Sequence, residues 1–385
     1  MRFADNRNKI GKYIPAVVFL IFIYGMALWF IFSPKPDYSS SEKRYLQKFP
    51  EVTAEKLLSG DFGSEFETFF ADRFPQRNTW VGLNAYTALA EGNNGASGVY
   101  NCKNGYLINK PVSTENNLDK NIGAVADFAK SIDTPTTVML VPSTGYIADD
   151  VLPTFHDKYN DDEDISRISS TLSKDKISFV DLRERFKSEY KNGSQLYYKT
   201  DHHWTTKGAY TGYQELCKAL DITPIDDSTL KKDSYPDFYG TTYSSSGFWL
   251  TPPDNIEIWN NPKNSDRNIS VKITEGANIK TSGSMYFTDH LKEDDKYPVF
   301  IDGNHALTEI TNTNAKNGTI LLIKDSFSHS LAPFLAENYS KVVLVDLRYY
   351  KESVSDLVIT YNPEQVVVLY GIDNLATDTD IVWLK

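Results

Sequence analysis

Cysteine is nearly absent. Only Cys102 and Cys217 occur among the 385 residues, too few for a disulfide scaffold or an all-cysteine zinc ribbon, and they read as two separate buried thiols. Positive charge is also short: 40 Lys and Arg face 51 Asp and Glu, a net charge of −11. That surplus argues against nucleic-acid binding, which needs a basic footprint to release counterions. No internal repeat and no low-complexity segment is present. Aromatic residues are plentiful instead, with 24 Tyr and 21 Phe, enough apolar mass for a sizeable core and against disorder along the chain.

The charge deficit is unevenly placed. Residues 1–12 hold Arg2, Arg7, Lys9 and Lys12 against Asp5, a net of +3, so the −11 of the whole becomes −14 beyond the first 33 residues. Residues 13–33 carry no charge at all and are dominated by Val, Leu, Ile and Phe. As a helix, such a run spans roughly 30 Å, the thickness of a hydrocarbon core. Tyr13 and Trp29 stand near its ends, where interfacial aromatics belong. Cations before the span predict a cytoplasmic tail over 1–12, a transmembrane helix over 13–33, and everything later outside the membrane. The rival, a cleaved signal peptide, needs a shorter apolar region and a small-residue cleavage site. Phe30-Ile31-Phe32-Ser33-Pro34-Lys35 offers no such site.

Residues 34–98 read as a linker and membrane-proximal helices. Glu42 to Phe49 is amphipathic, Ser59-Gly60-Asp61-Phe62 interrupts the pattern, and Phe66, Phe69, Phe70 and Phe74 recur at near-helical spacing. Core packing is the expectation for that stripe. The loop Glu91 to Gly98 is a plausible boundary. From 99 to 385, short apolar runs alternate with helical patterns: Thr136–Val141, Ile177–Leu182, Thr319–Ile323, Val342–Leu347 and Val366–Tyr370, with helix-like stretches over 116–131, 206–220, 330–338 and 351–361. Strands apolar on both faces, interleaved with helices, predict a three-layer α/β/α domain around a parallel sheet. Residues 222–315, rich in Tyr, Ser, Pro, Asn and Asp, break that rhythm and read as a β-rich insertion on the sheet edge. The aromatics Tyr239, Tyr243, Phe248, Trp249 and Trp259 there suit either sugar stacking or a small core.

Two segments concentrate chemistry. Thr200-Asp201-His202-His203-Trp204-Thr205 precedes a helix. It admits a helix cap with surface imidazoles, a metal site, or a general base oriented by Asp201. The other four histidines, 156, 290, 305 and 329, form no metal-ligand spacing, which weakens the metal alternative. In Thr319 to Ser330 an apolar strand runs into Lys324-Asp325-Ser326 and then a helix-like stretch. Ser326 would sit at the carboxyl end of a parallel strand, beside backbone N–H groups that stabilise an oxyanion. Its plainer role is a helix cap. Asp201 and His203, two apart, point the same way if their segment is extended, and together they supply a base for the serine.

At these residues the sequence resembles a known group. Asp201-His202-His203-Trp204 is the namesake motif of the DHHW family, which resembles the AlgJ/AlgX type of SGNH-like polysaccharide O-acetyltransferases. Ala71-Asp72-Arg73-Phe74-Pro75-Gln76-Arg77, Gly303-Asn304-His305, Lys324-Asp325-Ser326-Phe327 and Val345-Asp346-Leu347-Arg348-Tyr349-Tyr350 also look like blocks of that family, in the expected order. The resemblance implies an SGNH-hydrolase-like fold and a triad of Asp201, His203 and Ser326, with acid and base ahead of the nucleophile. Lys324 stands where a Gly usually precedes Asp-Ser, and would either favour an anionic substrate or bind Asp325. Asn304 is the best counterpart of the oxyanion asparagine. Arg348 and Tyr370, each just after a later strand, face the site or pack at strand ends. His202, Trp204 and Asp325 are given supporting roles, with His202 turned away from His203 and Trp204 more a packing residue than a sugar platform.

The implied activity is a membrane-anchored extracytoplasmic serine O-acetyltransferase with no metal and no cofactor. It would move an acetyl group through Ser326 onto a hydroxyl of a cell-envelope or exopolysaccharide acceptor. Such relatives are associated with membrane O-acyltransferases of the MBOAT type, which would supply the acetyl group. A carbohydrate acetylesterase with the same triad, and a non-catalytic glycan-binding or scaffold subunit of an acylation complex, are the alternatives.

Overall fold

The computed structural model describes residues 2–113, 117–175 and 177–384, with the side chains of 2–12 outside the description. The expectations resting on the cations of 1–12, and on Asn116 as a helix start, therefore lie outside the described residues. The chain divides into two compact units between Thr87 and Ala88.

The first unit opens with one long helix, Arg2–Phe32, whose stretch Tyr13–Phe32 has a mean hydropathy of 2.4 and is long and apolar enough to cross a membrane. Three shorter helices follow at Ala54–Ser59, Asp61–Asp72 and Arg77–Ala90. Gly60, at φ 88°, ends the first of them in the left-handed region that favours glycine. Glu42 to Phe49 is not the expected helix: Arg44–Tyr45 pairs antiparallel with Tyr38–Ser39. Side-chain anchoring overrides the helical pattern there. Arg44 bonds both oxygens of Asp72 (2.9 and 2.5 Å), and the Gln47 N–H donates to the same carboxylate. The phenylalanine stripe also departs from expectation. Its rings pack on one another, yet Phe66 and Phe70 stay about two-fifths exposed.

The second unit is built on an eight-stranded sheet. In chain order the strands are β1 Thr136–Val141, β2 Ser178–Asp181, β3 Ile269–Glu275, β4 Asn278–Ser282, β5 Leu307–Asn312, β6 Asn317–Lys324, β7 Tyr339–Val345 and β8 Gln365–Gly371. Their spatial order is β4-β3-β5-β7-β6-β8-β1-β2. The five strands from β7 to β2 are mutually parallel, as expected. The sheet as a whole is mixed, because β5, β3 and β4 of the insertion add to its edge in antiparallel register (Thr308 opposite Leu344, Val271 opposite Ile310). Residues 222–315 thus extend the main sheet. A separate antiparallel ribbon, Lys231–Phe238 with Asp254–Asn260, is the only other strand pair of that stretch among the described residues.

Strict alternation explains the three layers. Ile320 and Leu322 face a core shared with Tyr213 and Leu216 of helix Thr206–Ala219 and with Leu331 and Phe334 of helix Ser328–Leu335. Leu321 and Ile323 face the other core, made with helices Asn117–Ser131, Asp161–Lys174 and Val354–Tyr361. From β6 the chain passes through Ser328–Leu335 to β7 on one side. It returns through Val354–Tyr361, on the opposite face, to β8 on the other side. Consecutive connections that diverge in this way leave a crevice at the carboxyl end of β6, the usual ligand position in open α/β sheets. Ser326 lies two residues beyond that strand end.

Candidate active site

Asp201, His203 and Ser326 come from segments 123 residues apart, and the fold joins them in one hydrogen-bonded line. Ser326 Oγ lies 2.6 Å from His203 Nε2, and His203 Nδ1 lies 2.5 Å from Asp201 Oδ1. All three are buried. A carboxylate at Nδ1 fixes the tautomer that leaves Nε2 free to accept the serine proton. The geometry is not that of an extended segment. Residues 199–203 bend, and Asp201 Oδ1 also accepts the backbone N–H of His203 at 2.8 Å, a local turn that aspartate favours.

The turn is held from outside by Asp254, which accepts N–H groups from Lys199 (3.0 Å) and Thr200 (2.8 Å) and the Thr200 hydroxyl (2.7 Å). Thr241 closes it by donating its N–H to Asp201 Oδ2 at 2.7 Å. Gly240 permits that approach: a Cβ there would lie 2.1 Å from the Asp201 Cβ. Burial by itself would raise the Asp201 pKa. The adjacent imidazoles of His203 and His202, with the hydrogen bonds from His203, overcome it and hold the carboxyl well below its usual range.

Because the segment bends, His202 does not point away from His203; the two ring centroids are 3.9 Å apart. His202 Nδ1 meets Thr241 Oγ1 at 2.8 Å, and burial, then the His203 charge, bring its pKa down to about 4. It stays neutral and braces the hydroxyl that supports Asp201. Trp204 is fully buried and donates to Phe327 O and Ser330 Oγ, both at 2.9 Å, which ties the base segment to the nucleophile's helix. Asp325 accepts from the Phe327 N–H (3.0 Å), the Gly371 N–H (2.8 Å) and Asn374 Nδ2 (2.7 Å), so it shapes the serine turn from below.

The remaining candidates separate. Lys324 is buried, and its hydrogen-bond partners are Asp346 at 2.9 Å and His329 Nε2 at 2.8 Å rather than Asp325. Arg348 also grips Asp346, through Nε (2.8 Å) and Nη2 (2.6 Å), and donates to Asn304 Oδ1 at 2.9 Å. Asn304 is exposed, and its carbonyl is taken up by Arg348. Tyr370 packs in the core on the face of helices Asn117–Ser131 and Val354–Tyr361. Alternation puts it there, since its neighbour Leu369 faces the other core.

The residue that sequence reasoning missed is Tyr297. Its ring stacks on His203 (centroids 4.1 Å, planes 12° apart), and its hydroxyl donates to the carbonyl of Ser326 at 3.2 Å. It belongs to an irregular stretch of the insertion, where no periodicity marks a side chain's direction. Among the insertion aromatics, Phe248 and Trp259 are buried. Tyr239, Tyr243 and Trp249 are half-buried and in mutual ring contact at 4.3 and 5.1 Å, directly beside Thr241.

Donor atoms of Asp201, His202 and His203 lie within 4.8 Å of one another, close enough to share a cation. Both nitrogens of His203 are already directed at Asp201 and Ser326, however, so a metal there would replace the very hydrogen bonds that align the serine. Cys102 and Cys217 are separate, buried and unbridged.

A family model described as the SGNH hydrolase-like domain of acetyltransferase AlgX matches residues 108–237, a span that contains Asp201 and His203. No curated protein matches the chain. Among solved structures, a DHHW family protein from Eubacterium siraeum aligns at 17% identity over 75% of this chain and 95% of its own, with a TM-score of 0.63. PatB1 from Bacillus cereus aligns at 20% identity over 73% and 98%, TM-score 0.61. The same protein bearing a sulfonyl adduct aligns at 20% over 74% and 97%, TM-score 0.61. At such identities the likeness is one of fold. Over residues 108–237 the sequence is similar to the SGNH hydrolase-like domain of acetyltransferase AlgX, and in fold the chain is similar to a DHHW family protein, the resemblance its motifs implied.

Proposed function

We propose that the protein is a membrane-anchored O-acetyltransferase in which Ser326 carries the acetyl group to a hydroxyl of a cell-envelope or exopolysaccharide acceptor. The observation that supports this most is the unbroken line Asp201–His203–Ser326, with both hydrogen bonds at 2.6 Å or less. His203 Nε2 takes the Ser326 proton as Oγ attacks the acetyl carbonyl. The tetrahedral oxyanion is held by the Ser326 N–H and a second donor at the mouth of the site. When the carbon–oxygen or carbon–sulfur bond to the donor breaks, His203 returns the proton to the leaving group. The acceptor hydroxyl then gives its proton to His203 and attacks acetyl-Ser326, whose Oγ leaves with that proton.

The apolar helix Tyr13–Phe32 serves as the anchor, with the catalytic unit on the extracytoplasmic side. An MBOAT-type membrane O-acyltransferase is the proposed source of the acetyl group. The half-buried rings of Tyr239, Tyr243 and Trp249 offer a surface for sugar rings. Incubation of the full chain with an acetyl ester, followed by peptide mass spectrometry, should find acetyl on Ser326. A sulfonyl reagent, the class of adduct carried by the PatB1 structure, should label the same residue. An unmodified Ser326 under conditions that label a control serine esterase would sink the proposal.

A further inference from the structure

We propose that the helices after the apolar span lie in the membrane surface itself, with the phenylalanine face of Asp61–Asp72 inserted among lipids. The inference rests on the reading of Tyr13–Phe32 as a membrane anchor. On helix Asp61–Asp72, Phe62, Phe66, Phe69 and Phe70 share one face at spacings of three and four, with Glu65, Glu67 and Asp72 off it. Phe49 packs against that face, 5.4 Å from Phe69 and 6.0 Å from Phe66.

In a soluble unit such a cluster would be enclosed. Here Phe49 is 58% exposed, Phe66 40% and Phe70 41%, and Leu58 on the preceding helix is 90% exposed. Leaving so much apolar surface in water is unfavourable, and a patch of this kind marks an interaction surface.

Continuity with the span identifies the occupant as lipid. Phe30, inside the apolar span, lies 4.7 Å from Phe70 and 6.2 Å from Phe69, so the exposed face begins where the span ends. The connection is fixed: buried Arg73, just past the helix, donates to the carbonyls of Lys35 and Pro36 (both 2.8 Å) and pairs with Asp37. These are the residues by which the chain leaves the span. Arg44 and Asp72 lock the intervening loop onto the same helix end. The amphipathic face is therefore held at the depth of the span's terminus, where helices with one apolar side sink roughly 5–10 Å into the headgroup boundary. Residues 34–72 hold five cations against eight carboxylates, so apolar insertion drives the contact, not attraction to anionic lipid.

The full-length chain in nanodiscs of zwitterionic lipid tests this, with a nitroxide at one introduced cysteine and accessibility to oxygen and to a water-soluble nickel chelate measured. Both native thiols are buried, and the unsubstituted chain serves as the labelling blank. Labels at Leu58→Cys and Phe66→Cys should lose chelate access while keeping oxygen access, approaching a label at Phe22→Cys within the span. A label at Glu67→Cys should stay open to the chelate, and replacing a third of the lipid with an anionic one should change none of these values. Chelate access at Leu58→Cys and Phe66→Cys would overturn the inference. So would protection from both probes, which means coverage by protein, and so would strong dipolar broadening, which means a second copy. A label at Phe22→Cys that is itself open to the chelate would overturn the anchor and this inference together. A lipid-buried Phe22 with a water-exposed Leu58 would overturn only the latter.

Discussion

Two charged clusters with buried centres grow from neighbouring residues at the end of β6, and they differ in where their hydrogen bonds lead. Asp201 and His203 form an open line that ends on the hydroxyl of Ser326. Lys324, Asp346 and Arg348 form a closed knot, in which the ammonium and the guanidinium converge on one carboxylate. Burial would raise the Asp346 pKa, but the Arg348 hydrogen bonds and the Lys324 charge hold it below the usual range. Burial pulls the Lys324 pKa down, with Asp346 opposing. His329 accepts from Lys324 at Nε2, which leaves its Nδ1 without a partner among the described residues, and burial, then the Lys324 charge, keep the ring neutral. Buried charge alone therefore does not mark chemistry. What distinguishes the line is that its last acceptor faces a group able to react.

Substitution should separate the two clusters cleanly. Ser326→Ala and Asp201→Asn should each lower turnover of an acetyl ester by about 10³-fold or more, with Ser326→Ala leaving the thermal unfolding midpoint in place. Activity within tenfold of the parent would break the comparison at its catalytic end. Asp346→Ala removes the carboxylate that both cations share, and losing one side of a buried pair costs about 3–5 kcal/mol. The expected result is a large fall in the unfolding midpoint, read by circular dichroism or differential scanning fluorimetry. An unchanged midpoint would mean that the knot is not structural.

Much of the frame was legible in the sequence, for a plain reason. Runs such as Thr319–Ile323 and Val366–Tyr370 are apolar at successive positions, which only a strand covered on both faces requires. Helix Thr206–Ala219 announces itself by its cap, Thr205, whose hydroxyl accepts the Gly208 N–H. The bend at Asp201–His203 was not legible, since spacing in sequence says nothing of the Asp254 and Thr241 contacts that impose it. Tyr370 was readable in principle: the alternation of its strand puts it on the face opposite Leu369. Lys324 was not, since alternation leaves it on the face of Leu322 and the carboxylate that takes up its charge, Asp346, follows another strand. The exposed phenylalanine face followed the helical period as expected. Period alone does not say whether the apolar side meets protein or lipid.

Tyr297 links the two clusters, resting on His203 and lying 6.1 Å from the His329 ring. Tyr297→Phe keeps the stacked ring and deletes only the hydroxyl bond to Ser326 O, a contact worth about 0.5–1.5 kcal/mol. Turnover should therefore drop no more than about tenfold, whereas Tyr297→Ala should drop it further by freeing the His203 ring. Equal effects of the two variants would show that the ring itself does nothing for the base.

A third buried group sharpens the contrast, because it has carboxyls and no cation. Asp161 Oδ1 accepts the Ser143 N–H (2.7 Å), and Asp373 Oδ1 accepts the Ser143 hydroxyl (3.1 Å). Neither meets a Lys or Arg within 4 Å among the described residues. Burial pushes Asp161 up to about 7, with the Asp373 charge adding to it, and pushes Asp373 up to about 6. Between the ordinary carboxyl value and these, the folded chain retains protons that the unfolded chain has released. Stability from this pair therefore falls as pH rises from about 4 towards 7 and levels off above, opposite in sign to the contribution of Asp201 and Asp346. Asp373→Asn keeps an oxygen for the Ser143 hydroxyl and removes the titration. Its unfolding midpoint relative to the parent should rise by a few degrees between pH 5 and pH 8. A difference that stays constant across that range would mean the pair is already ionised in the folded chain at pH 5.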